Sequence, residues 1–355
     1  MFSSLAVKDF RIYWFGMLVS LTGTWIQIVA ESWLVFKLTN SAFLLGLVGF
    51  LSSIPVFLLS LFGGVVADRV NKKRILLITQ SAFMFLAFLL AVLTQFRLIA
   101  PVHIMIIAVM NGVVMAFDAP SRQAVVVELV GKEHLPNAIA LNSAAFNSAR
   151  LIGPALAGIL IAIIGMSGCF YVNGISFFAV IIALFLIKVN NTSRKPGKTI
   201  FARELFAGLR FVRENRVILI LIAMVGITSL FGISYIILMP IFANDILKVG
   251  VKGLGALMSA AGLGAVVAGL TLAQLGNFRH KGRLLILSSL IFSISLIFFS
   301  LSRSYHFSLI NLIVIGWSSV TAISLINMLL QQIVPDEFRG RLMSTFMFTF
   351  AGLMP

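Results

Sequence analysis

The sequence predicts an all-α protein whose helices cross a membrane. Three observations carry that expectation. Of the 355 residues, 60% are hydrophobic and only 11% are charged, where a soluble domain carries about a quarter. The mean hydropathy is +1.08. The apolar residues also gather into runs of about 20 or more, the length that crosses a bilayer core as helix. Backbone polar groups in lipid must be satisfied within their own segment, which selects helices over open strands. This composition excludes a soluble globular enzyme, a disordered chain and a nucleic-acid-binding domain.

The elements follow in order. Lys8 and Arg11 precede an apolar run over 12–37. That run is too long for a signal-peptide core and ends in no small-x-small cleavage site, so it is a retained first span. Further runs at 42–67, 75–96, 101–127, 137–164 and 168–188 complete a set of six. The longest polar stretch, Lys188 to Arg216, comes next. Its first part, 190–197, reads as a flexible linker. In Thr199 to Asn215, Phe201, Leu205, Leu209 and Val212 stand at helical spacing among Arg203, Glu204, Arg210 and Arg213. That is the pattern of an amphipathic helix on the membrane surface. Runs at 217–243, 253–275, 284–302 and 308–333 follow, and an eleventh begins near 342. The expected organisation is a six-helix half over 1–188, a cytoplasmic linker over 189–216, and a second half over 217–355.

Charge position gives orientation. The net charge is +16, from 27 Lys+Arg and 11 Asp+Glu. With the N-terminus inside, 21 basic residues fall on the inner side and 5 on the outer. Cytoplasmic loops carry such an excess, so the charge reports topology and no nucleic acid. The single cysteine, Cys169, excludes an intrachain disulfide and any CxxC site. His103, His134, His280 and His306 fall at span ends or in loops, and no HExxH, GxSxG or Walker loop is present. No metal, no cofactor and no enzymatic activity are expected.

The second half echoes the first. Val130-Gly-Lys-Glu-His-Leu-Pro136 after span four matches Val334-Pro-Asp-Glu-Phe-Arg-Gly340 after span ten, an offset of 204. Lys73-Arg74-Ile-Leu-Leu77 matches Gly282-Arg283-Leu-Leu-Ile286, an offset of 209. Two six-span halves in parallel repeat are a secondary-transporter pattern. The repeat calls for the rest of an eleventh span and a twelfth after Pro355, so the sequence is expected to be truncated within its eleventh helix.

The loop after span two reads Gly63-Gly-Val-Val-Ala-Asp68-Arg69-Val-Asn-Lys72-Lys73-Arg74. It resembles the loop signature of the major facilitator superfamily, with Gly64, Asp68, Arg69, Lys72 and Lys73 matching. Asn71 replaces the usual turn glycine, a change expected to be tolerated because Asn adopts positive φ. Lys8-Asp-Phe-Arg11 through Gly16, Gly23-Thr-Trp25, Ser32-Trp-Leu34, Phe117-Asp-Ala-Pro120-Ser-Arg122, Asn137 to Asn142 and Ala149-Arg150-Leu-Ile-Gly153-Pro154 resemble one branch of it. That branch is the enterobactin-exporter-like, or transmembrane secretion effector, group of bacterial exporters. The resemblance implies a proton-driven exporter of siderophores, drugs or other small molecules. It implies that Arg122 pairs with Asp68 in an inner gate. It also implies an antiporter-like kinked, close-packing helix at Gly153, Pro154 and Gly158.

Three charges fall inside spans: Glu31, Asp118 and Arg150. Each costs about 2.5–3.5 kcal/mol at a helix centre, so each should face the bundle interior or a partner. Side chains tilt toward their helix N-terminus, and spans four and five run in opposite directions. An Asp118–Arg150 pair, remade during transport, is therefore expected, with Glu31 as the alternative proton carrier. Gln27, Asn111, Asn142 and Asn147 are candidates to line a cavity or to bond helix to helix. The expected function is proton-coupled export of a small molecule by alternating access. The expected setting is a monomer in the lipid bilayer of a bacterial cytoplasmic membrane. An importer of the same fold and a truncated, non-transporting product remain the alternatives.

Overall fold

The computed structural model describes residues 3–188, 213, 215–232, 234–276, 278–334, 342, 345, 346 and 349. The side chains of Leu61, Asp68 and Lys132 lie outside that description. So do the linker segment 189–212, which holds most of the expected amphipathic helix, and nearly all of the eleventh run. No strand occurs among the described residues.

The first three helices are α1 (Lys8–Thr39), α2 (Ala42–Arg69) and α3 (Lys72–Gln95). Their boundaries follow local chemistry. Ser41 caps α2 by accepting from the Leu44 amide at 3.3 Å, and Asn71 caps α3 by accepting from the Arg74 amide at 3.2 Å. Asn71 has φ −57°, so it serves the turn as a cap and not by adopting positive φ, which corrects the expectation for that position.

Helix then runs from Pro101 to Leu186, broken at Gly131 (φ 67°, ψ −178°) and Gly165 (φ 73°, ψ 178°). Only glycine takes that backbone region without steric cost. The breaks divide the run into α4 (Pro101–Gly131), α5 (133–164) and α6 (166–186). Unbroken, Glu133–Leu186 would be a 54-residue helix of about 81 Å, far longer than a bilayer is thick. Beyond the linker come α7 (Arg216–Ile246, with π-helical turns at Thr228–Gly232 and Phe242–Ile246), α8 (Gly250–Leu275), α9 (Lys281–Leu301) and α10 (Tyr305–Ile333). The described residues thus contain nine helices long and apolar enough to cross a membrane, Glu133–Leu186 counted as one. All ten expected complete runs are helical.

The chain forms two compact units. One is Met1–Pro196 with Pro240–Ser259; the other is Gly197–Met239 with Ala260–Pro355. In the first, Phe10, Tyr13 and Met17 of α1 pack with Leu76, Val125, Val126, Leu141, Val180 and Leu184. Helices approach closely where glycine removes a side chain. Gly16 sits under the Ala179 carbonyl of α6, where an added Cβ would lie 2.9 Å from that oxygen. Gly63 of α2 lies against the Ala116 carbonyl of α4, and Gly112 of α4 against the Ser52 carbonyl of α2. The Ala116 carbonyl is the one left without a helical donor by Pro120. A neighbouring helix that approaches through glycine offers it a Cα–H instead.

In the second unit, Ile218, Leu221, Ile222 and Val225 of α7 join Leu272, Leu285, Ala322, Leu325, Ile326 and Leu330 in one apolar cluster. Here Gly264 of α8 lies against the Ile313 carbonyl of α10, and Gly316 of α10 against the Ala261 carbonyl. The outer surfaces stay apolar, with Phe43, Phe85, Ile163, Ile297 and Ile310 all exposed. A protein whose solvent is lipid presents such a surface.

Candidate functional site

The described buried charges concentrate in the first unit. Asp118, on α4, is fully buried. Its Oδ1 accepts from Thr79 Oγ1 at 2.7 Å and from Gln80 Nε2 at 2.7 Å, both on α3. Its Oδ2 accepts from Arg122 Nε, one turn along the same helix. Arg122 Nη1 also lies 3.2 Å from the Met17 sulfur on α1. Asp118 therefore joins three helices, and both of its oxygens are engaged. The Asp118–Arg150 pair expected from the sequence is not formed. Arg122 takes Arg150's place because an i,i+4 partner needs no approach between helices.

The loop motif sorts into separate roles. Lys72 forms a buried ion pair with Glu128 of α4, Nζ to Oε1 at 2.6 Å. Glu128 is a residue that sequence reasoning missed; its spacing from the motif carries no local signal. Lys73 Nζ donates to the Ile187 carbonyl at 2.8 Å, placing a cation at the C-terminus of α6, where the helix dipole favours it. Arg69 is exposed. Gly64 has open space where a Cβ would be; Gly63 makes the close crossing instead. The expected Asp68–Arg122 gate involves the Asp68 side chain and lies outside the described residues.

Glu31 stands at the end of a polar line between α1 and α6. Asn173 Nδ2 donates to Gln27 Oε1 at 2.7 Å, and Gln27 Nε2 donates to Glu31 Oε2 at 3.4 Å. Ser176 Oγ donates to the Asn173 carbonyl at 2.8 Å. Gly23 makes room for the line, since an added Cβ would lie 2.7 Å from Asn173 Oδ1. Among the described residues no Lys, Arg or His lies within 4.0 Å of the Glu31 carboxylate. Gln27 was flagged in the sequence; Asn173 was not, because its partner is 146 residues away.

On α5, Gly153 packs against Thr22 and Trp25 of α1, and Gly158 lies against Val251 and Lys252 at the start of α8. An added Cβ at Gly255 would lie 3.1 Å from the Gly158 Cα and would also meet the Pro154 carbonyl. The three antiporter-like positions thus form close contacts on two sides of one helix. Pro154 has no N–H, which leaves the Arg150 carbonyl without its α-helical donor. The Arg150 side chain is partly accessible and makes no ion pair or hydrogen bond among the described residues.

Stacked membrane-length helices, apolar outside and with charge held inside, define a membrane transporter of the major facilitator superfamily. Within it, the chain belongs to the transmembrane secretion effector family, whose model matches residues 1–355. It is 29% identical over 339 residues to the staphyloferrin A transporter of Staphylococcus aureus, covering 94% of this chain and 83% of that protein. It is 24% identical over 336 residues to the enterobactin exporter EntS of Shigella boydii, covering 94% and 79%. The crystal structure of a bacterial homologue of the human lysosomal transporter Spinster, inward-facing and unoccupied, matches the fold with a TM-score of 0.74. Sequence identity there is 13%, with 98% of this chain and 80% of that one covered. The protein is a multi-pass bacterial membrane protein that carries small molecules, and transporters of this family are not enzymes.

Proposed function

We propose that the protein is a proton-coupled exporter of a small molecule. It works as a monomer in the bacterial cytoplasmic membrane, with its N-terminus inside. The halves 1–188 and 217–355, joined by the linker 189–216, alternate access to a central path. Export is supported by the likeness to the enterobactin exporter and by the Gly153-Pro154-Gly158 motif. The inside N-terminus is supported by the 21-to-5 split of basic residues.

The observation that carries proton coupling is the contrast between two carboxylates. Asp118 is paired with Arg122 and hydrogen-bonded at both carboxylate oxygens. Glu31 sits in a membrane helix with one long hydrogen bond and, among the described residues, no cation beside it. A carboxylate so placed is completed by a proton. Glu31 is the coupling group of this reading, and Asp118 with Arg122 keeps the inner end of the first half assembled.

The test is reconstitution in proteoliposomes with an internal pH dye. Solute addition should release protons in the wild-type chain, and Glu31→Gln should abolish that release while solute binding persists. Release that survives Glu31→Gln but is lost in Asp118→Asn would reassign coupling to Asp118. Comparing inverted with right-side-out vesicles separates export from import.

A further inference from the structure

Arg150 lies near the middle of α5, about 22 Å along the helix from the break at Gly165 and about 28 Å from that at Gly131. Neither end is within reach of its side chain, so a lipid headgroup does not complete it. The helix face it occupies is unlike the rest of α5. At 100° per residue, Ser143, Asn147 and Arg150 share one side of the helix. Ile152, Leu156, Ile159 and Ile163, all exposed, lie on the opposite side. That opposite side is the one that meets lipid.

The accessibility of the Arg150 face changes along the helix. Toward Gly131 it is open: Ile139, Ser143 and Phe146 are exposed, and Asn147 and Arg150 are partly accessible. Toward Gly165 it is shut: Gly153, Pro154 and Ala157 are buried, with Gly153 on α1 and the Pro154 carbonyl on Gly255. Polar side chains at mid-membrane depth, away from the lipid side, face the bundle interior or a water-filled cavity. The accessible face ends at a guanidinium. Asn147 spends its amide nitrogen on the Ser143 carbonyl at 2.8 Å, which holds the side chain along this face.

We propose that Arg150, with Ser143 and Asn147 beside it, is the binding site for an oxyanion of the transported solute, a carboxylate or a group of equal charge and shape. A guanidinium presents five N–H donors in a fixed fork that matches a carboxylate, and among the described residues no protein group occupies that fork. The Ser143 hydroxyl supplies one more donor on the approach. Solute enters from the Gly131 end, stops where Gly153 meets α1, and neutralises the charge that Asp118 leaves unpaired. This inference rests on the transporter reading and gives it a substrate class: anionic solutes.

The test is binding of carboxyfluorescein to the full chain in phosphatidylcholine nanodiscs, read by fluorescence anisotropy. Arg150→Gln should weaken binding about 10- to 100-fold, the loss of a charge-assisted pair. Arg150→Lys should fall between, since it keeps the charge and loses the fork. Binding of Nile red, uncharged, should be the same in all three, which also shows that the variants are folded. The site is overturned if carboxyfluorescein does not bind the wild-type chain, or binds Arg150→Gln equally well. Solute-driven proton release by the wild-type chain is measured separately. Its absence, with Arg150-dependent binding intact, removes the proton-coupled reading and leaves the anion site standing.

Discussion

The α2–α4 crossing in the first unit and the α8–α10 crossing in the second use the same device. Gly112 lies on the Ser52 carbonyl, and Gly316 lies on the Ala261 carbonyl. Residues 112 and 316 differ by 204, and 52 and 261 by 209, the two offsets of the sequence repeat. The same offsets lead elsewhere for charge. Asp118 corresponds to Ala322 and Arg122 to Ile326, both within the apolar cluster of the second unit. Thr79 and Gln80 correspond to Ser288 and Ser289. The scaffold is therefore present twice, and the buried ion pair on α4 once. Duplicated packing holds each bundle together, and in the first unit the Asp118–Arg122 pair adds to it.

That comparison can be broken or sharpened, starting with the largest effect. Asp118→Ala leaves the half-buried Arg122 without its partner and should lower stability by about 2–4 kcal/mol, seen as a drop in thermal unfolding midpoint in detergent. The double change Asp118→Ala with Arg122→Ile installs the residues of the second unit and should recover most of that loss. A double variant no more stable than the single one would break the equivalence of the two crossings.

Next, Gly112→Leu and Gly316→Leu each force a side chain into a helix backbone. Each should cost about 1–3 kcal/mol, and similar midpoints for the two would sharpen the match. Lys72→Met leaves Glu128 buried without its partner and should cost about 1–3 kcal/mol, a loss that Glu128→Gln in the same chain reduces. The smallest effect expected is that of Asn173→Leu, about 1 kcal/mol from one hydrogen bond between helices. Its more telling readout is proton release, which should weaken as Gln27 loses its hold from α6.

Most of the architecture was legible because lipid imposes a simple code. Each of the ten complete apolar runs became helix, and the glycines at 131 and 165 broke the long run where polar residues or a turn separated two spans. The repeat offsets were legible from two loops and reappear in glycine contacts that no loop could reveal. The site was less legible. The pairing of Asp118 was sought across helices from tilt and depth, while its partner stood four residues away in Asp-Ala-Pro-Ser-Arg. Glu128 and Asn173 gave no signal, because their partners, Lys72 and Gln27, are brought to them only by helix packing. Hydropathy fixes which segments enter the membrane; it says nothing of rotation about each helix axis, and rotation decides which polar groups meet.

Gly153 and Gly158 leave α5 bare where it touches α1 and the beginning of α8. Interlocked side chains resist sliding as gear teeth do, because each ridge must climb out of its groove. A glycine pressed on a neighbouring backbone has no tooth. What holds such a contact is dispersion and Cα–H···O attraction of about 0.5–1 kcal/mol apiece. At these two places α5 meets its neighbours with no interlocking side chain, and a methyl group added at Gly153 would run into the Trp25 Cβ.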